Sequence, residues 1–197
     1  SGSEVQREFI IEPEGVIEDY IEQKLEVSAP QFLLGFKQNV KSPLRSAEER
    51  VGAAILLDVL AGRASTLYKE LLEAELINSS FSYEYFEGFG YACPIFGGES
   101  KDPHAAAELI KEKIKSLRKE KVKEADFNRS KRKLYGRMVM MYNDVDELAN
   151  ELAGSFFNGN GLFDDLEVCK AISLDSVNGL LDEIFNEDAS VLSLILP

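Results

Sequence analysis

The hydrophobic period of this chain changes along its length, and that change limits the folds it can adopt. Between residues 46 and 74 apolar side chains recur every three to four positions, as on one face of a helix. From Ser79 to Phe86 the period falls to two, and the glycines at 88 and 90 lead into a second such run, Tyr91 to Phe96. Two short strands joined through glycine predict a hairpin placed after two helices.

Helix caps divide the rest of the chain. Ser46 with Glu49 three positions later has the pattern of a capping box, and Gly62 is a natural end for the helix that begins there. Asp102 followed by Pro103 fits the first two positions of another helix. The same criteria predict helices at 65–74, 102–119, 123–141, 145 to a glycine at 159, 164–171 and 174–185.

Strands complete the prediction of an α+β fold. Alternation around Leu25 and Val27, an apolar run at 32–36 and a closing run at 191–196 are typical of strands. Hairpins segregated from helices predict a largely antiparallel sheet with helices packed over one face. We expect one such domain at 20–197, an extended lead-in segment or linker at 4–19, and a cloning remnant at 1–3.

The composition limits the classes of binding partner and indicates the cellular compartment. The chain has 22 Lys and Arg against 35 Asp and Glu, a net charge of −13 that opposes nucleic-acid binding. No apolar run approaches the roughly 20 residues of a membrane span, so no membrane association is expected. Cys93 and Cys169 are the two cysteines, which favours a reducing compartment, here the cytoplasm.

No catalytic constellation is complete in this chain. His104 is the single histidine, whereas a catalytic zinc normally takes three protein ligands at defined spacing. Neither cysteine stands in a Cys-x-x-Cys pair, and a nucleophilic cysteine would need that lone histidine as its base. We therefore expect no catalytic residue, no metal ligand and no cofactor in this chain, and no peptide hydrolysis by it alone.

Three segments resemble one family of enzymes. These are residues 60–73 (LAGRASTLYKELLE), residues 122–136 with their Lys-Arg-Lys-Leu-Tyr-Gly ending, and residues 146–149. Their order and spacing are similar to those of the insulinase/pitrilysin zinc peptidases, which include the mitochondrial processing peptidases. The resemblance covers about residues 20 to 197.

The resemblance implies a half-shell. In that family two α+β halves of the same fold close around a peptide, and only the first half bears zinc, on an inverted His-x-x-Glu-His motif. This chain resembles the second, C-terminal half. The implied partners are a zinc-bearing N-terminal half or a homologous subunit, together with a peptide substrate. The isolated half is expected either to self-associate or to bind its zinc-bearing half when the two are mixed.

Some residues of the implied peptide chamber are missing. Second halves of the family often carry an Arg and, seven residues later, a Tyr that bind the substrate near the scissile bond. Leu72 stands at the first position, and Asn78 and Ser79 stand near the second. Ser79, Tyr83 and Tyr85 are our candidates for chamber-lining residues, with packing in the core as the alternative for the two tyrosines.

The resemblance thus implies the zinc-free half of an insulinase-type zinc endopeptidase, which forms part of the chamber without itself catalysing. The alternative is a structural or interaction module, like the family members retained as scaffolds in respiratory complexes. An inverted zinc motif upstream in the parent protein would separate the two hypotheses.

Overall fold

The computed structural model describes residue 13 and residues 15–40, 42–157 and 160–197. The remnant predicted at 1–3, most of the lead-in segment predicted at 4–19 and the glycine at 159 therefore lie outside the described residues.

Five strands form one sheet. They are β1 (Tyr20–Lys24), β2 (Gln31–Phe36), β3 (Ser82–Gly88), β4 (Tyr91–Glu99) and β5 (Ser190–Leu196). Their order across the sheet is β1-β5-β2-β4-β3, and every neighbouring pair is antiparallel except β1 with β5. The predicted α+β class and the largely antiparallel sheet are confirmed.

Eight helices accompany the sheet within the described residues. They are α1 (Ala47–Ala61), α2 (Thr66–Glu73), α3 (Pro103–Glu120), α4 (Glu124–Met141), α5 (Val145–Phe157), α6 (Asp164–Ala171), α7 (Leu174–Gly179) and α8 (Leu181–Ile184). The capping box at Ser46 is present, because its Oγ accepts from the Glu49 N–H and the Glu49 carboxylate accepts from the Ser46 N–H. The Asp102 carboxylate caps α3 in a similar way.

The strands bury one face and leave the other open. Along β2, Phe32, Leu34 and Phe36 are buried beneath the helices, whereas Leu33 between them is exposed. Period-two alternation therefore divides the sheet into a face under the helices and a face without them, which we call the open face. Directly paired residues share a face, so Ile95 and Phe86, on β4 and β3, also lie on the open face.

The first strand was predicted a few residues too late. β1 runs over Tyr20–Lys24, not over Leu25 and Val27, where the chain turns and the Val27 N–H donates to the Leu25 carbonyl. All five residues of β1 are exposed, so no apolar alternation marks them. Backbone pairing with β5 holds this strand in place, and such pairing carries no side-chain signature.

Three further details differ from prediction. β3 begins at Ser82, because Ser79 and Ser80 form a turn, and β4 continues through Gly97 and Gly98 to Glu99. Gly98 has φ +155°, and a Cβ there would lie 2.9 Å from the Phe81 Cα, so this glycine lets two backbones approach and does not end the strand. The single helix predicted at 174–185 is two short ones, broken at Leu180.

Among the described residues, no single helix has the length and apolar character needed to cross a membrane. Helices α1 and α2 taken together meet those criteria by composition, with a bend of 40° between them, and most of α1 is buried in the core.

Candidate functional site

The residues considered for metal or nucleophilic chemistry lie apart. His104 begins α3 and stacks on Tyr20 of β1, with 5.6 Å between ring centroids. Cys93 lies on β4 and Cys169 on α6, and both thiols are free. Burial raises the pKa of each thiol, which disfavours the reactive thiolate. The described part of the chain holds no group of three or more His, Cys, Asp or Glu side chains that could bind a metal ion.

The two candidate tyrosines of β3 point toward the helices. Tyr83 donates its hydroxyl to Asp58 of α1 over 2.7 Å, and Tyr85 donates to the Gln38 side chain over 2.6 Å. Both rings are half-buried and pack against the hydrophobic core. Burial raises the pKa of each phenol, so both remain protonated donors at neutral pH. A chamber-lining role for them stays a prediction.

The positions that match the family's Arg and Tyr have neither side chain. Leu72 is exposed near the end of α2, and Ser79 is exposed in the turn ahead of β3. Asn78 donates its side-chain amide to Glu99 of β4 over 2.7 Å, which ties this turn to the sheet. The turn is thus held against the sheet, but neither Leu72 nor Ser79 offers a cation that could bind a peptide carbonyl.

A buried polar network, missed by the sequence analysis, centres on Asp58. Its carboxylate accepts hydrogen bonds from Tyr83, from Ser130 over 2.7 Å and from the Lys133 ammonium. Burial alone would raise the pKa of Asp58, but these three donors outweigh it and hold the pKa below its ordinary value. The network joins α1, α4 and β3. Its one signal in the sequence is a carboxylate within the apolar stretch of α1.

The low pKa of Asp58 predicts a specific dependence of stability on pH. A depressed folded-state pKa contributes stability above the unfolded value, near pH 4, and that stability is lost as pH falls through the folded value. We expect Asp58→Asn to lower the free energy of unfolding at pH 6, with the difference from the parent shrinking toward pH 2. Urea unfolding at several pH values measures it.

Asp188→Asn is a matched control for this experiment, because Asp188 is exposed and the substitution removes the same charge. We expect a small and nearly constant effect from it. A difference for Asp58→Asn that did not change between pH 6 and pH 2 would contradict the ionised network.

The open face of the sheet is an exposed apolar surface. Leu33 of β2 is 55% exposed and Phe86 of β3 is 50% exposed, and Tyr91 of β4 stacks near Phe86 with 5.4 Å between ring centroids. A cavity of about 300 Å³ opens at one end of this face, with Gln31, Leu33, Ser193 and Ile195 among its lining residues. Contiguous apolar surface of this kind marks interaction sites.

Helix α5 is a second uncovered apolar surface. It contacts the rest of the domain only weakly, and Ser155 is its one buried residue. Val145 is 80% exposed, Phe156 77% and Phe157 81%, while Leu152 is also exposed. The sequence predicted this helix, and the structure shows that its apolar residues face away from the core of the domain.

Comparison with known proteins gives the family. A family model described as the peptidase M16 inactive domain matches residues 2–134. The uncharacterized zinc protease YmfH of Bacillus subtilis (strain 168) is 27% identical over 199 residues, which cover 98% of this chain and 46% of that protein.

Solved structures agree with that match. A protein described as an M16-like peptidase from Alicyclobacillus acidocaldarius superposes with a TM-score of 0.88 at 25% identity, over 95% of this chain and 45% of that one. The inactive peptidase domain of a protein described as a zinc protease from Bordetella parapertussis has a TM-score of 0.73 at 14% identity, over 87% and 93%. That second likeness is one of fold.

The present chain spans less than half the length of the first two relatives. The family model, in contrast, describes a domain and matches most of the chain. The inactive domain is one that lacks the catalytic zinc site of the M16 peptidases. The chain belongs to the family of peptidase M16 inactive domains, as its resemblance to the insulinase/pitrilysin peptidases predicted.

Proposed function

We propose that this domain pairs with a zinc-bearing half to form an M16 zinc endopeptidase, in which it closes the peptide chamber without taking part in bond cleavage. The observation that carries the proposal is the presence of two uncovered apolar surfaces, α5 and the open face, on a domain with a complete core of its own. Both surfaces are explained if a second domain covers them.

The two surfaces suit a partner of the same fold. The family resemblance implies a first half built like this one, with its own sheet and its own fifth helix. Helix α5 of each half would then lie on the open face of the other, a reciprocal arrangement that covers both apolar surfaces of both domains. Interfaces between domains of one chain typically bury about 600–1,500 Å². A four-turn helix against a five-stranded sheet provides an area of that order.

In this arrangement the two halves have different roles in peptide cleavage. The zinc-bearing half would polarise the peptide carbonyl and activate water at the metal. The present domain would exclude water and help to hold an extended peptide. We also propose a cytoplasmic location, which the free thiols Cys93 and Cys169 support.

The proposal is tested by mixing this chain with the separately purified zinc-bearing half of its proposed parent. We expect association at micromolar concentration, corresponding to about −8 kcal/mol, because a surface made to open and close should bind modestly. Sedimentation and peptide cleavage are followed together, and cleavage should require both halves. The chain alone should hydrolyse no peptide.

Two outcomes would redirect the proposal. A zinc-bearing half that is fully active alone and never associates with this chain would overturn the chamber role. Association without any zinc-dependent cleavage would favour the second candidate, a scaffold module, which the exposed apolar surfaces also suit because a scaffold needs docking surfaces.

A further inference from the structure

Two arginines of the described part of the chain are engaged in no hydrogen bond or ion pair there. Arg45, Arg50, Arg118, Arg129 and Arg132 each donate at least one hydrogen bond. Arg63 and Arg137 are the remaining arginines of the described part of the chain, and neither forms a hydrogen bond or an ion pair there. Both side chains are exposed, so water solvates the two guanidinium groups and their donors are available to a ligand.

The unpaired arginines line the same cavity. It has a volume of about 230 Å³ and lies where the link between α1 and α2 approaches β3 and α4. Its other lining residues are Ala61, Tyr68, Phe81, Ser82, Tyr83 and Lys133, so no carboxylate lines it. Asp58 lines a neighbouring cavity together with Arg137, but its carboxylate accepts hydrogen bonds from Tyr83, Ser130 and Lys133 and from neither arginine.

The cavity opens beside an unpaired sheet edge. β3 is the last strand of the sheet and pairs with β4 on one side. On its other side, residues 82–88 make no backbone hydrogen bond to the described part of the chain. A free edge can take up an extended peptide, whose side chains would alternate between the two faces of the sheet. Those on the helix side would point toward Arg63 and Arg137.

The carboxylates of β3 leave this end of the edge available. Glu84 pairs with Ile95, which places its side chain on the open face, and it lines a neighbouring cavity that Arg137 also lines. Glu87 lies four residues beyond Tyr83, near Arg50 at 3.9 Å. The overall negative charge of the chain acts weakly here, because charges farther away than about 8 Å are screened at physiological salt.

We propose that the β3 edge and the adjoining cavity bind an extended acidic peptide. The peptide backbone pairs with β3, and one Asp or Glu carboxylate is held between Arg63 and Arg137, whose guanidinium groups match a carboxylate with paired hydrogen bonds. The aromatic rings of Tyr68 and Phe81 form the wall beside it. This deepens the proposed function by giving it a class of substrate segment, and it is measurable in this chain alone.

The experiment uses a synthetic eight-residue peptide of alternating valine and glutamate, blocked at both ends, and calorimetry at physiological salt. We expect the chain to bind it, and a peptide with glutamine for glutamate to bind at least about tenfold more weakly, because charge-assisted hydrogen bonds are lost. A third peptide, N-methylated at alternate amides, keeps the charge but removes strand pairing, and it should also bind at least tenfold more weakly.

The double variant R63Q/R137Q should lower affinity for the glutamate peptide by at least about tenfold. Arg132→Gln is the matched control: it removes one charge from α4, where the guanidinium bonds its own helix backbone, and should leave affinity unchanged. If R63Q/R137Q fails to fold, R63K/R137K keeps the charge and still removes the paired geometry, with a smaller loss expected.

Four results would overturn the inference. They are no binding of the glutamate peptide, equal binding of the glutamine peptide, equal binding of the N-methylated peptide, and unchanged binding by the double variants. Inorganic phosphate that displaced the peptide at micromolar concentration would likewise replace a peptide site with a phosphate site. Association with the zinc-bearing half is independent of these results, so the proposed function would stand if only this inference failed.

Discussion

Replacing Leu152 and Phe156 of α5 by aspartate is expected to weaken association with the zinc-bearing half by at least about a hundredfold. Both side chains are exposed in this chain, so the substitutions remove little of its own core. In the proposed complex they would place two carboxylates against an apolar sheet face, where unpaired charge is strongly unfavourable. Buried apolar anchors at the centre of an interface commonly contribute 2 kcal/mol or more each. Sedimentation of the mixed halves measures the change.

A control variant with the same added charge distinguishes the effect of the apolar stripe from the effect of net charge. Asn150→Asp with Gly154→Asp adds the same two carboxylates on the opposite side of α5, because 3.6 residues make one turn. A Cβ at Gly154 meets no atom within 4 Å, so the side chain fits. We expect this control to associate as the parent does. Equal loss in both variants would mean that charge, and not the apolar stripe, governs docking.

The sequence predicted α5 correctly as a helix, but it could not predict which way the apolar stripe faces. A stripe at helical spacing indicates that one side avoids water, and the same spacing serves a core in this domain or a surface on another. Val145 and Phe156 are exposed because α5 makes only weak contacts with the helices that cover the sheet.

The candidate site was likewise only partly predictable from the sequence. Alternation predicted that Phe81, Tyr83 and Tyr85 share a strand face, and the structure directs all three toward the core. Which face of a strand lies under helices depends on the whole fold, and one register step would reverse it. The partners of Asp58 illustrate the limit: Tyr83 and Ser130 both donate to it, Ser130 lies 72 positions away from it in the chain, and no local pattern joins them.

Phe96→Ala is expected to lower the free energy of unfolding by about 3–5 kcal/mol, the usual range for removing a fully buried ring. Phe96 is completely buried. Its ring meets Phe36 of β2 edge-on at 6.1 Å and lies nearly parallel to Phe185, which follows α8, at 6.3 Å. These three rings join the centre of the sheet to the C-terminal helices, so the cavity left by alanine lies where several elements meet.

Urea unfolding of Phe96→Ala and Phe157→Ala tests this expectation. Phe157 is exposed on α5, so its truncation should change the free energy of unfolding by less than about 0.5 kcal/mol. Equal destabilisation by the two variants would contradict the assignment of Phe96 to the core.

The same ring also connects stability to docking. Phe96 lies on the helix side of β4, and its neighbour Ile95 lies on the open face. A domain is typically stable by only about 5–15 kcal/mol, so Phe96→Ala should leave a larger unfolded fraction and a less firmly held sheet. Its docking should therefore weaken together with its stability, and recover with a stabilising osmolyte. The α5 aspartate variant should lose docking while its unfolding curve stays close to that of the parent. If both variants lose docking but only Phe96→Ala loses stability, α5 belongs to the interface and Phe96 to the core.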